Sequence, residues 1–148
     1  MYPPQQDYSA QQSGGAIAVT TKYFWAAFLL GLFKPEISIN GHVAAKAWGR
    51  SVIPVPAGQH HLHVHVPYLL PSRIGVADIG ITVQPGQTVE VEYRAPTIAF
   101  LNGAIGAPPQ KYPGMAVTWV LLALSAFLLL CVCGGIIVSA LSSGSTSP

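Results

Sequence analysis

The sequence predicts a mainly β protein: a small antiparallel β-sandwich followed by one C-terminal transmembrane helix. Three observations predict it. Residues 115–141 form a run of twenty-seven without a single charged side chain, and about 20 apolar residues at roughly 1.5 Å each suffice to cross a hydrocarbon core. Between residues 16 and 101, short alternating stretches are separated by Gly and Pro turns at a spacing of about eight to twelve residues, the pattern of a small sandwich or barrel. Charged residues make up only 8% of the 148-residue chain, against about 25% in a soluble protein. A domain so poor in charge suits a place against a membrane or another protein.

In chain order, residues 1–15 (MYPPQQDYSAQQSGG) are Pro, Gln, Ser and Gly with two tyrosines. They cannot bury enough apolar area to offset chain entropy and are expected to be disordered. They hold no Lys or Arg and no apolar run, so no export signal is expected. Ile17 and Val19 then alternate with Ala18 and Thr20, the pattern of a strand ending near Lys22. Residues 23–33 (YFWAAFLLGLF), bracketed by Lys22 and Lys34, span roughly 16 Å at helical rise, about half a bilayer core. Three readings stay open for this segment. It is a core strand or short helix, an interfacial segment with Tyr23, Phe24 and Trp25 at the headgroups, or a second span.

Ile37-Ser38-Ile39 leads into Asn40-Gly41, the strongest short hairpin signal. Residues 51–55 alternate, and Pro54 and Pro56 demote them to an edge strand or strand end. After a turn at Ala57-Gly58-Gln59, residues 60–66 (HHLHVHV) alternate strictly, and residues 67–72 form a loop. Ile79, Ile81 and Val83 mark another strand, Pro85-Gly86 the centre of a type II turn, and residues 88–94 its return. There Val89, Val91 and Tyr93 face one way, Glu90 and Glu92 the other. Residues 97–101 read as a last strand, and the Gly- and Pro-rich residues 102–114 as a semi-rigid linker.

The transmembrane helix is expected at 115–141, with a short polar tail at 142–148. Tyr112 and Trp119 lie near its start, where aromatic belts sit. Arg94 and Lys111 precede the span and nothing basic follows it. The positive-inside rule therefore puts the β domain in the cytoplasm and the C-terminus outside, as a tail-anchored, single-pass protein of the cell membrane. Cys131 and Cys133 point about 200° apart on a helix and cannot pair with each other. Gly135 and Ser139 are a small-xxx-small pair, which leaves helix association open and the oligomeric state unknown.

The net charge of +2 arises from seven Lys or Arg and five Asp or Glu. The basic residues are spread singly, without the patch that nucleic-acid binding needs. No Gly-x-Ser-x-Gly, phosphate-cradling loop or His-Glu-x-x-His occurs, so an enzyme is not expected. One cluster has possible chemistry. On a strand, His61, His63 and His65 share one face, and neighbouring imidazoles are about 6.5 to 7 Å apart at Cα. Two can converge on Zn, Cu or Ni, with further ligands sought among His42, Asp78, Glu90 and Glu92. The competing readings are a solvated strand face that happens to use histidine, and a pH sensor.

Ile37-Ser38-Ile39-Asn40-Gly41, Pro54-Val55-Pro56-Ala57-Gly58-Gln59-His60 and Val83-Gln84-Pro85-Gly86-Gln87-Thr88-Val89 together resemble the turns of PEGA-type domains. The likeness covers residues 37–94 and departs at Trp48-Gly49 and the 67–72 loop. The whole arrangement also resembles uncharacterised single-pass membrane proteins of actinobacteria. The resemblance implies a small β-sandwich that binds or scaffolds, and no catalytic residues or cofactor. The expected function is a membrane-anchored interaction module, an accessory subunit of a membrane protein complex. Its partners would be the lipid bilayer and other membrane proteins. The alternative is a metal-binding protein using the His60–His65 strand.

Overall fold

The computed structural model describes residues 14–144. They form two compact units that divide between Gly114 and Met115. The first is a two-sheet β domain with strands β1 (Gly14–Lys22), β2 (Glu36–Ile39), β3 (His42–Lys46), β4 (Gly49–Pro56), β5 (Gly58–Pro67), β6 (Arg73–Val83), β7 (Thr88–Arg94) and β8 (Ala104–Gly106). One sheet has the order β4-β1-β7-β8 and the other β3-β2-β5-β6. All pairings are antiparallel except β1 with β7, which run parallel in register from Ala16↔Thr88 to Lys22↔Arg94. The expected fold class holds: a mainly antiparallel β domain followed by one long apolar helix.

The core lies between the sheets. Ile17, Val19, Val91 and Tyr93 from one sheet meet Ile37, Leu62, Val64 and Val83 from the other, all nearly or fully buried. Alternation explains each set, because period-2 apolar residues point to a single face of a strand. Tyr93 joins the sheets directly: its hydroxyl donates to the Gly75 carbonyl of β6 at 2.7 Å. Burial raises its phenol well above the ordinary range, so it stays a donor.

The turns bear out their residues. Asn40 and Gly41 both have positive φ, 51° and 82°, as a two-residue type I′ hairpin turn requires. The Gln87 N–H donates to the Gln84 carbonyl at 3.0 Å across Pro85-Gly86, the type II turn between β6 and β7. The proline-bearing strand, β4, is an edge strand as expected.

Among the open readings of residues 23–33 the structure has the short helix: 3-10 turns, Trp25–Leu32, interrupted by the non-helical Ala27. Three expectations change. Residues 97–101 are not a strand. The last strand is β8, inside the segment expected to be a linker, and it pairs with β7 through Glu92↔Gly106. Residues 102–114 thus belong to the folded domain, because their backbone finds partners on it: the Thr97 N–H donates to the Pro113 carbonyl and the Gln110 N–H to Glu92. Residues 14 and 15 of the expected 1–15 tail extend β1. Residues 1–13 and 145–148 lie outside the described residues.

The second unit is helix α1, Met115–Ser143, with no charged residue in its first or last turn and no buried side chain. Its 29 residues make it about 44 Å long, enough to cross a membrane core of about 30 Å. The hydroxyls of Ser125 and Ser139 donate back to the carbonyls of Leu122 and Gly135 at 2.9 and 2.8 Å. Such back-bonding lets serine sit in an apolar helix without an unmet donor.

Candidate interaction surfaces

The histidine strand is β5, and its faces split as alternation requires. Leu62, Val64 and Val66 are buried in the core, while His61 and His63 face outward. Antiparallel pairing with β6 puts Asp78 opposite His63. The Asp78 Oδ1 lies 2.7 Å from His63 Nδ1 and 3.2 Å from His61 Nε2. An ionised carboxylate only accepts, so His63 presents its Nδ1–H to it. Neutral His63 then offers Nε2 as an acceptor, which His65 Nδ1–H fills at 3.0 Å.

His65 is buried, and burial pushes its pKa below the ordinary histidine value. Glu36, opposite it on β2, pulls the other way but less strongly. Glu36 itself is held below the usual carboxylate range, first by its hydrogen bond to Lys46. His60 belongs to a different network. Its Nε2–H donates to the Pro56 carbonyl, which leaves Nδ1 to accept from the Asn40 amide. That bond helps to hold the Asn40-Gly41 turn.

The structure therefore brings Asp78 to the histidine face, and no other carboxylate that the sequence offered. Glu90 pairs with Arg50 on the other sheet, Glu92 is buried beside Arg94 and Lys22, and His42 turns to the Asn40 carbonyl. Among the described residues, no three His, Cys, Asp or Glu side chains are grouped so as to hold a metal ion.

A second surface lies at one end of the sandwich. β1 and β7 finish there, β2, β4 and β6 begin there, and β3 and β5 end there, as their registers require. Three long connections meet at this end beside the short β3–β4 connection: the 3-10 turns, the 67–72 loop and residues 95–103. They present large apolar side chains to solvent, with Trp25 76%, Phe28 69%, Leu70 85% and Phe100 84% exposed. Leu32 and Leu69 are likewise exposed. An apolar cleft of about 190 Å³ opens among them, lined by Leu29, Leu30, Tyr68, Ile74, Pro96 and Ala99.

The base of this end is rigidly held. Trp48 Nε1–H is shared between the Phe33 and Leu30 carbonyls, at 2.7 and 3.2 Å, and fixes the 3-10 turns to the β3–β4 connection. The Trp48 ring also lies 4.7 Å from that of Tyr23, and Phe33 packs edge-on to Tyr68. Nothing in the sequence marked Trp48 for this role. A tryptophan beside glycine in a looser stretch could have been read as a buried anchor needing a carbonyl partner.

Of the expected interface residues, Trp25 and Trp119 are exposed. Phe24 is buried, with its ring against Trp25 and Tyr112, so it is not available at a surface. Tyr23 and Tyr112 are half-buried and tied together, the Tyr112 hydroxyl donating to the Tyr23 carbonyl at 3.2 Å. Arg94 stacks over the Tyr112 ring at 4.5 Å. No family model, curated protein or solved structure matches this chain.

Proposed function

We propose that the chain is a membrane-anchored, non-enzymatic interaction module, an accessory subunit of a membrane protein complex. The observation that carries this reading is covalent. A β domain folded through Gly114 is followed at once, with no free linker, by a 29-residue helix none of whose side chains is buried or charged. A helix with this surface needs lipid or other apolar helices around it. The absence of a linker keeps whatever the domain binds close to the bilayer. The helix supports a single-pass place in the cell membrane, and Lys111 on its N-terminal side favours a cytoplasmic β domain.

Affinity purification of the full chain from detergent-solubilised membranes, followed by mass spectrometry, tests the proposal. The expected result is reproducible co-purification of other membrane proteins. A chain that always emerges alone rejects the subunit reading.

A metal-handling role is the second reading; its nearest approach to a ligand set is the contact of Asp78 with His61 and His63, which are not grouped so as to hold a metal ion. Calorimetric titration of the full chain with zinc or copper decides it, since neutral imidazoles and a carboxylate suit these ions. Saturable heat at micromolar metal, lost in His63→Ala, would establish it. The hydrogen-bonded arrangement predicts no such heat.

A further inference from the structure

We infer that the apolar end of the β domain is a lipid-docking surface, inserting Trp25, Phe28, Leu69, Leu70 and Phe100 into the headgroup region of an anionic leaflet. The inference rests on the reading of α1 as a membrane span. Three independent observations support it.

The first is apolar exposure confined to three adjacent connections. Six large apolar side chains (Trp25, Phe28, Leu32, Leu69, Leu70, Phe100) are more than two-thirds exposed. Monomeric soluble proteins seldom display an apolar patch of this kind without a partner for it. The mixture of tryptophan, phenylalanine and leucine is the one that settles at a membrane interface.

The second is charge. All four described carboxylates are engaged: Glu36 by Lys46, Asp78 by His61 and His63, Glu90 by Arg50, and Glu92 by Lys22 and Arg94. Among the described residues, Lys34, Arg73 and Lys111 form no ion pair. Each flanks the apolar end. Lys34 follows the 3-10 turns, Arg73 closes the 67–72 loop, and Lys111 immediately precedes Tyr112, whose ring packs against Phe24. Unpaired cations around an apolar patch match anionic headgroups around an acyl boundary.

The third is where the chain leaves the domain. The Gly114 backbone is so close to the 97–101 loop that an added Cβ would meet Leu101 and Thr97 at 2.8 Å. The exit is therefore at the apolar end and not at the end with the tight turns. Consecutive Cα atoms are about 3.8 Å apart, so covalent continuity alone holds this end beside the first residue of α1.

The test uses the full chain in lipid nanodiscs, with acyl chains brominated near the headgroup to quench nearby tryptophan. Trp119→Phe leaves Trp25 as reporter of the apolar end, and Trp25→Phe leaves Trp119 as reporter of the helix. A variant carrying both substitutions sets the background from Trp48. The expected result is quenching of both single variants above that background. For Trp119→Phe, quenching should rise when phosphatidylglycerol replaces part of the phosphatidylcholine. That rise should vanish when Lys34, Arg73 and Lys111 are all changed to Gln. Quenching of Trp25→Phe without quenching of Trp119→Phe overturns the docking surface and leaves the span intact. No quenching of Trp25→Phe rejects the span itself. A blue shift of Trp25 that grows with protein density, without bromine quenching, overturns lipid docking and assigns this end to a second copy of the chain.

Discussion

The two ends of the β domain are built from opposite materials. At one end, Asn40-Gly41, Ala57-Gly58 and Pro85-Gly86 join strands through short polar turns, and none of the residues there is a large exposed hydrophobic. At the other, the connections are long, aromatic and solvent-facing. Both ends close the same core, so packing does not require the difference. The tight turns meet their remaining backbone groups on neighbouring strands, the Asn40 N–H on the His61 carbonyl and the Gly86 N–H on the Gly14 carbonyl. The long connections satisfy theirs through Trp48, Tyr112 and Glu92 while turning apolar side chains outward. The most exposed large apolar side chains are therefore concentrated in the helix and at one end of the domain.

Two glycines give the largest contrast between the ends. Gly75, under the apolar end, has φ +62°, and an added Cβ would lie 2.5 Å from both Pro96 Cδ and Tyr93 Oη. Gly86, in the tight turn opposite, has φ +72° and open space around it. Gly75→Ala adds a steric clash to the backbone strain and should cost about 2–5 kcal/mol. Gly86→Ala carries the strain alone and should cost about 1 kcal/mol. Thermal melts of the full chain in detergent measure both. Equal losses would mean that the apolar end yields as easily as a surface turn.

That contrast parallels what the sequence disclosed. The tight-turn end was legible, because Asn-Gly and Pro-Gly dictate their own backbone angles and alternation on β5 and β7 set the faces. The apolar end was not. Residues 23–33 gave an apolar run with no period to separate helix, strand and membrane segment, and only their tertiary partners resolve them as 3-10 turns. β8 is three residues long amid Gly and Pro, too short for any pattern, and it exists because β7 offers it an edge. The histidine face was legible as a face, and Asp78 was named with it. The pairing of Asp78 with His63 depends on the β5–β6 register, which sequence spacing across a six-residue loop does not fix.

Glu92 comes next in expected effect. It is 4% exposed and binds Lys22, Arg94 and the Gln110 N–H, so it clamps the exit segment to the ends of β1 and β7. Burial alone would raise its pKa. The hydrogen bonds from Arg94, Gln110 and Lys22 and the charge of Arg94 outweigh burial and hold it below the ordinary 4.5. A carboxylate with a lowered folded pKa contributes stability that is whole above about 4.5 and is lost as the pH falls through the folded value. Glu92→Gln should cost about 2 kcal/mol at neutral pH. It should also flatten the fall in melting temperature below pH 4.5, leaving the slope due to Glu36. A variant with the wild-type acid slope would show that the clamp is not electrostatic.

Trp48→Phe keeps most of the ring packing and removes the shared N–H, leaving the Phe33 carbonyl short of a donor and the Leu30 carbonyl with the Phe33 N–H alone. The expected cost is about 1–2 kcal/mol. Faster amide exchange should be confined to residues 25–33, with the tight turns unchanged. Exchange that rises equally at both ends would place Trp48 in the common core.

The smallest effect is the sharpest discriminator between packing and docking. Leu70 and Phe100 are 85% and 84% exposed, so almost none of their apolar area is withdrawn from water by folding. Surface substitutions away from structural features stay within about 0.5 kcal/mol, and Leu70→Ser with Phe100→Ser should leave the detergent melting temperature where it is. The same pair should weaken the quenching of Trp25 in anionic nanodiscs, because burying apolar surface contributes about 25 cal/mol for each Å² and this surface would be buried only by lipid. A lowered melting temperature would mean that these side chains fold back onto the domain in solution, and the contrast between its two ends would then lie in loop length alone.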